Sequence, residues 1–268
     1  MGSEGRARGA RRAFAAVLAV VLVAGTTSCV RLVWKEATDR YGLGRPVTEV
    51  RLAQSDGDVV FRHRPGAEAV LTRSLRYSRH EAKTPATSHR VEGETLVLEG
   101  CGLHCTATYD LVLPERARIT GESDGGDVSA EGALSVDLEV DSGTVVLNEV
   151  VEGVSLRGNS SNASITGAGG PLDVRLDSGD LRATGMTKGP VTVTTGSGHV
   201  ELALAEPASV RARTDSGQLT VRVPAGAYKV VTETDSGKVD ITGVVNDRDA
   251  AYELFLRTDS GNMVLGRV

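Results

Sequence analysis

The sequence predicts an all-β chain: a single-stranded β-solenoid of about nineteen-residue coils behind an N-terminal signal or anchor segment. Three observations carry this. A strand, turn and strand unit with Asp-Ser-Gly or a relative at the turn recurs through the second half. Apolar residues alternate on either side of those turns, the period-two signature of a strand with one buried face. Aromatic residues make up only 3% of the chain beside 32 Gly, so the core must be thin and built from Val, Leu, Ile, Ala and Thr. The 268 residues are 40% hydrophobic, enough for a folded core. The net charge of −5, with no basic block beyond the first dozen residues, excludes the electrostatic footprint of a nucleic-acid binder.

Residues 1–34 read as an address. Arg6, Arg8, Arg11 and Arg12 precede the uncharged run Ala13–Gly25, which is the layout of an export signal. The run ends in Thr26-Thr27-Ser28-Cys29, similar to a bacterial lipobox in which Cys29 is lipidated and becomes the mature N-terminus. Thr26 stands where such a motif usually has Leu. The competing reading is an uncleaved anchor, because the uncharged stretch continues to Val30 and is just long enough to cross a bilayer. Either way the expected location is extracytoplasmic, anchored to the cell membrane through a lipid or a helix. Removing residues 1–28 takes away four Arg and one Glu and leaves a net of −8, which anionic lipid would repel.

The β-solenoid domain is expected over residues 45–268, with irregular capping coils over 45–120 and regular Asp-Ser-Gly repeats over 121–268. In the first part Val50/Leu52 and Val59/Phe61 flank the turn SDGD at 55–58, Val70-Leu71 leads into Arg73–Tyr77, and 78–89 is a polar loop. TLVLEG at 95–100, the pair Cys101 and Cys105, and TYDLVLP at 108–114 follow. In an oxidising compartment a Cys101–Cys105 disulfide is the leading reading, and it leaves Cys29 odd, as lipidation would require. A metal site on Cys101, His104 and Cys105 lacks a fourth ligand.

In the second part the turn Gly, or its replacement, falls at 143, 162, 179, 198, 217, 237 and 261, in steps of 19, 17, 19, 19, 20 and 24. Stripes such as Leu172/Val174/Leu176 before a turn and Leu219/Val221/Val223 after one cannot be buried by a single unit, but stacked coils bury them together. The structural turn residues are Asp141 and Gly143, Asp177 and Gly179, Asp215 and Gly217, Asp235 and Gly237, and Asp259 and Gly261. Gly accepts a positive φ, and each Asp is expected to cap its own turn by accepting from the backbone N–H two residues on. A bound cation such as Ca²⁺ would be the other way to hold the stacked carboxylates together, yet the dense Gly/Asp nonapeptide of calcium-binding solenoids is absent, and no metal or other cofactor is predicted. Chained hairpins in an antiparallel sandwich obey the same local grammar, while the regular period favours the solenoid. The final strand ends at Val268, so the last coil is either exposed or covered by a partner.

No catalytic residue is predicted. His63, His80, His89, His104 and His199 fall in no HExxH or GxSxG context, and no glycine-rich loop opens a helix. His80 and His89 are expected to be solvated in the polar loop. The alternative is a carbohydrate-active β-helix enzyme, a polysaccharide lyase or hydrolase, which needs a pair of outward carboxylates in a groove. Asp137, Glu139, Asp173 and Glu201 lie among Arg157, Arg175, Arg182 and Arg211, which reads as a solvated face.

SHRVEGETLVL, the Cys pair, YDLVLPE and the repeated D/G-S-G-x-V/L units resemble domain-of-unknown-function family 4097 over about residues 45–268. SSNA at 160–163 departs from the Gly turn. That family of bacterial exported β-solenoid proteins is often labelled putative adhesin, and some relatives are tied to envelope-stress signalling. The resemblance implies a non-catalytic, envelope-anchored adhesin or interaction scaffold, with an envelope protein or wall polymer as partner and self-association open.

Overall fold

The computed structural model describes residues 34–53, 56–78 and 88–268, which belong to one compact unit. Strand and turn make up the described chain, and no helix among the described residues is long and apolar enough to cross a membrane. The strands are β1 Trp34–Gly42, β2 Glu49–Ala53, β3 Val59–His63, β4 Val70–Ser78, β5 His89–Glu92, β6 Thr95–Glu99, β7 Cys105–Leu113, β8 Arg118–Ser123, β9 Val128–Glu131, β10 Ser135–Val150 and β11 Val154–Ala168. They continue as β12 Leu172–Ser178, β13 Leu181–Met186, β14 Val191–Ser197, β15 Val200–Leu204, β16 Val210–Ser216, β17 Leu219–Val223, β18 Ala227–Ser236, β19 Val239–Ile241, β20 Val245–Asn246, β21 Glu253–Ser260 and β22 Met263–Arg267.

Each coil bends once at its Gly turn, so the solenoid has two walls. The strands before the turns stack in the order β5, β6, β2, β8, β10, β11, β12, β14, β16, β21 and β18. Those after the turns stack as β1, β4, β7, β3, β9, β10, β11, β13, β15, β17, β22 and β19. The longest strands, β10 and β11, run through the corner and belong to both walls. From β2 and β6 onward the coil-to-coil pairing is parallel, so each inward residue lands on an inward residue of the next coil. Leu172, Val191, Val210 and Leu254 form one such stripe, as do Leu181, Val200, Leu219 and Met263. All are 2% exposed or less. Burying each such side chain contributes about 1.5–3 kcal/mol, and the stripe of one coil is buried only by its neighbours.

Coil order in space departs from coil order in sequence at both ends. The coil β2–β3 sits between β6–β7 and β8–β9, so this early segment is a regular member of the stack, although 45–120 as a whole was expected to cap it irregularly. The folded unit also begins before the expected boundary at 45, because β1 pairs antiparallel with β4 from Trp34↔Ser78 to Gly42↔Val70. At the other end β21–β22 slots between β16–β17 and β18–β19. The coil ending near Val268 is therefore neither exposed nor waiting for a partner: residues 227–241 cover it. Side chains explain the exchange. Leu254, Leu256, Met263 and Leu265 are all buried, whereas the equivalent positions of the outer coil are Val230, Thr232, Val239 and Ile241. The more apolar stripe takes the slot with two neighbours. The connection 242–252 lets the chain return, and β20 pairs with the start of β18 as a short strap over the outer coil.

Candidate interaction surface

At the turns the backbones of successive coils touch. Gly217 has φ of 132°, and a Cβ there would lie 2.1 Å from the carbonyl oxygen of Gly198. Both a left-handed conformation and the close approach demand Gly. Gly143, Gly179, Gly237 and Gly261 repeat this arrangement. In the irregular turn the residue opposite Gly143 is Ser161, one before the position inferred from the period. Ser161 is buried and its Oγ donates to Val140 O at 3.1 Å.

The turn Asp side chains do not cap their own turns as expected. The caps come from the residue after the Gly and reach the next coil. Asp127 Oδ1 accepts from Thr144 N at 2.8 Å, Asn162 Oδ1 from Asp180 N at 2.9 Å, and Asp180 Oδ1 from His199 N at 2.7 Å. His199 Nδ1 accepts from Gln218 N at 3.2 Å, and Asn262 Oδ1 from Lys238 N at 3.1 Å. Parallel stacking leaves the Asp free to point outward and pair laterally. Asp141 accepts from Asn159 Nδ2, Asp215 lies 3.2 Å from Arg213, and Asp259 lies 3.1 Å from Arg257 and 3.7 Å from Arg213. Asp177 and Asp235 are exposed. No three His, Cys, Asp or Glu side chains among the described residues converge as a metal site requires.

The outward face before the turn is ordered rather than mixed. Glu139, Arg157, Arg175, Thr194, Arg213, Arg257 and Glu233 are register partners in one continuous row. A second row, two residues on, holds the turn Asp residues. Parallel pairing sets rows of this kind at about 4.8 Å per coil. The signal was present as Arg-x-Asp-Ser-Gly at 175–179, 213–217 and 257–261, but it becomes a row only once the register is known. Asp137 and Asp173 face Arg157 and Arg175 at 4.0 and 3.5 Å, and Glu201 is bridged by Arg182 and Arg222.

The N-terminal end holds a buried polar cluster that the sequence did not flag. Tyr109 Oη donates within 2.6 Å of Ser88 Oγ, with the carbonyls of Ser88 and Glu99 equally close. Burial pushes the Tyr109 hydroxyl above its ordinary pKa. Arg73 is buried and reaches Asp39 at 2.5 Å and Ser88 Oγ at 3.3 Å. His89 is not solvated in a loop: it opens β5, half-buried, with its ring 4.3 Å from that of Tyr41 and its Nδ1 without a hydrogen-bond partner among the described residues. Burial, followed by the nearby Arg73 charge, holds its pKa below the imidazole norm. Cys101 and Cys105 are disulfide-bonded, with Cα atoms 5.6 Å apart. His104 lies between them at φ of 59°, and His63 lies on β3. Cys29 and His80 lie outside the described residues.

Two walls of parallel coils joined at a Gly corner, with polar rows outside and an aliphatic stripe inside, define a β-solenoid of the toast-rack kind. The chain belongs to the Toastrack family, DUF4097, whose model matches residues 107–265. Among solved structures, a putative adhesin from Bacteroides fragilis matches with a TM-score of 0.53 at 11% identity, over 87% of this chain and 97% of that one. A putative adhesin from Parabacteroides merdae matches at 0.39 and 11% identity, over 87% and 96%. A putative cell adhesion protein from Clostridium sporogenes matches at 0.28 and 13%, over 88% and 100%. At these identities the likeness is one of fold, and only the first score is high enough to speak to it. No curated protein sequence matches the chain.

Proposed function

We propose that this chain is a non-catalytic, extracytoplasmic adhesin or interaction scaffold, held at the cell membrane by its first thirty-four residues. The observation that carries the reading is the continuous outward row from Glu139 through Arg157, Arg175, Arg213 and Arg257 to Glu233. Such a row offers a periodic polar surface for an envelope protein, a wall polymer or a second copy. Enzymatic groove chemistry would require a carboxylate held free for proton transfer or attack. The outward wall carboxylates Asp137, Asp173 and Glu201 instead sit beside arginines, which disfavours that chemistry along the coil walls. The names of the similar solved structures agree with an adhesive role.

Fractionation tests the location, since the full chain should sediment with membranes, and mass spectrometry of the native N-terminus should show a lipidated Cys29 if the anchor is a lipid or a retained segment 1–28 if it is a helix. Free protein in the medium from the unaltered gene would overturn the anchored reading. Turnover of a polysaccharide by the purified chain, lost on replacing one outward carboxylate, would overturn the non-catalytic one.

A further inference from the structure

We propose that the groove beside the Cys101–Cys105 loop is a docking site for a cationic peptide segment, one that presents basic side chains next to an apolar one. The groove has a volume of about 1090 Å³ and is walled by the corners of the first coils, the disulfide loop and the start of β1. That is ample for several side chains of a peptide. Two apolar side chains stand on its rim: Trp34 is 38% exposed, and Leu103, at the tip of the disulfide-closed loop, is 87% exposed. Neither belongs to the core stripe, and Leu103 loses the full benefit of burial where it stands.

The charge of the groove selects the partner. Among the described residues its lining carries Asp56, Glu99, Glu122 and Asp124 against a single cation, Arg51. Arg51 is taken by Glu92 at 3.0 Å, and Glu99 is taken by Arg90. Asp56, Glu122 and Asp124 have no ion-pair partner among the described residues, so three carboxylates face the opening uncompensated. They do not converge as a metal site would, which suits charges spread along a chain rather than one ion. Arg76 lies outside the lining, its guanidinium 5.1 Å from the Trp34 ring centroid. Wall rigidity favours binding by lowering the ordering cost. The loop is closed by the disulfide, and the coil corners pack so tightly that a Cβ on Gly121 would lie 2.0 Å from Leu52 O. Anionic lipid and nucleic acid are repelled by the same three carboxylates.

The proposal rests on the interaction-scaffold reading and names a partner class for it. Its test needs no membrane association, so failure of anchoring and failure of docking are told apart. Trp34 is the only Trp in the chain, so its fluorescence reports on the groove. The full chain, disulfide intact, is titrated with a short peptide of alternating Lys and Leu, with the corresponding Glu and Leu peptide, and with cellohexaose. The Lys–Leu peptide should change Trp34 emission saturably. Combining Glu122→Gln with Asp124→Asn should weaken its binding about tenfold, as should a rise in salt from about 0.05 to about 0.5 M. Leu103→Ser should weaken it too, with an unchanged β-sheet circular dichroism spectrum showing that the variants fold. No saturable response to the basic peptide, equal binding of the acidic peptide, or unchanged affinity in the double carboxylate variant would overturn the proposal. Cellohexaose binding in place of the peptide would also overturn it and assign the groove to a glycan.

Discussion

Replacing Gly217 by Ala should be among the most damaging single-methyl changes in the chain. The added Cβ would sit 2.1 Å from Gly198 O, more than an ångström inside normal contact, and that atom is backbone held in a ladder. A non-Gly residue at φ of 132° costs about 1–3 kcal/mol by itself. Relieving the overlap requires the coils to separate at the corner, where Gly198 N donates to Ser216 O and Gly217 N to Ser260 O, each at 3.0 Å. Losing one such bond and leaving its groups unpaired costs about 1–3 kcal/mol more. The expected loss is therefore about 2–6 kcal/mol, read as a shift in the urea midpoint followed by circular dichroism with the disulfide intact. Gly266→Ala is the control: a Cβ there would meet nothing within 4 Å, and stability should change by less than about 0.5 kcal/mol. If the two variants unfold at the same midpoint, close approach of stacked corners is not why the turns contain Gly.

Three further outcomes can be checked by the same unfolding measurement. Thr258 is 1% exposed and its Oγ1 has no hydrogen-bond partner among the described residues, so Thr258→Val should be neutral or stabilise by about 1 kcal/mol; a clear loss would mean the hydroxyl is satisfied. His89 resists protonation in the folded state, so the unfolded chain binds the extra proton first. Its contribution is fully present above the ordinary imidazole pKa of about 6.5 and is lost as pH falls from that value through the lower pKa of the folded state, and His89→Gln should flatten the dependence in this window. Breaking the disulfide by Cys101→Ser with Cys105→Ser should cost about 2 kcal/mol on the loop-entropy scale for so short a closure, and no change would show that the loop is held by other contacts.

The repeating half was legible because one rule governs every coil. Leu219, Val221 and Val223 alternate as strand residues and are buried as such, and Gly217 marks the corner that the period predicts. The period also nearly located the Ser161 corner, missing by one because only the register shows which residue opposes Gly143. Hydrogen-bond direction was not legible. An Asp in Asp-Ser-Gly has a local partner available in any isolated turn, and only a neighbouring coil at strand spacing supplies the N–H groups that Asp180, His199 and Asn262 accept. For the same reason Arg157 and Arg175 read as part of a mixed solvated face, and Arg213 and Arg257, 44 positions apart, become neighbours only through parallel pairing. Arg73 was not singled out and His89 was expected in water because polar residues beside a polar loop ordinarily lie there, and burial here depends on Tyr41, Ser88 and Tyr109 closing around them.

The long final step of 24 residues between Gly237 and Gly261 carries more information than an insertion in a loop. In a solenoid stacked in chain order, the terminal coil is held by one neighbour and can peel away without disturbing the rest. Here the coil nearest the C-terminus is gripped on both sides, and freeing β21 requires breaking its ladders to β16 and β18 together. The coil left outside is the one suited to exposure. Lys229, Glu233, Asp235, Lys238 and Asp240 charge its outward positions, β19 is only three residues long, and Asn246 Oδ1 accepts from Val230 N at the edge. Charge, shortness and a covering strap are the devices that stop an edge from recruiting another strand. The same exchange at the N-terminal end, where β2–β3 enters between later coils, places a doubly gripped coil near that end as well. A repeat whose last period is stretched by about the length of a return loop, and whose last stripe is more apolar than the one before it, is therefore the sequence mark of a chain that re-enters its own stack.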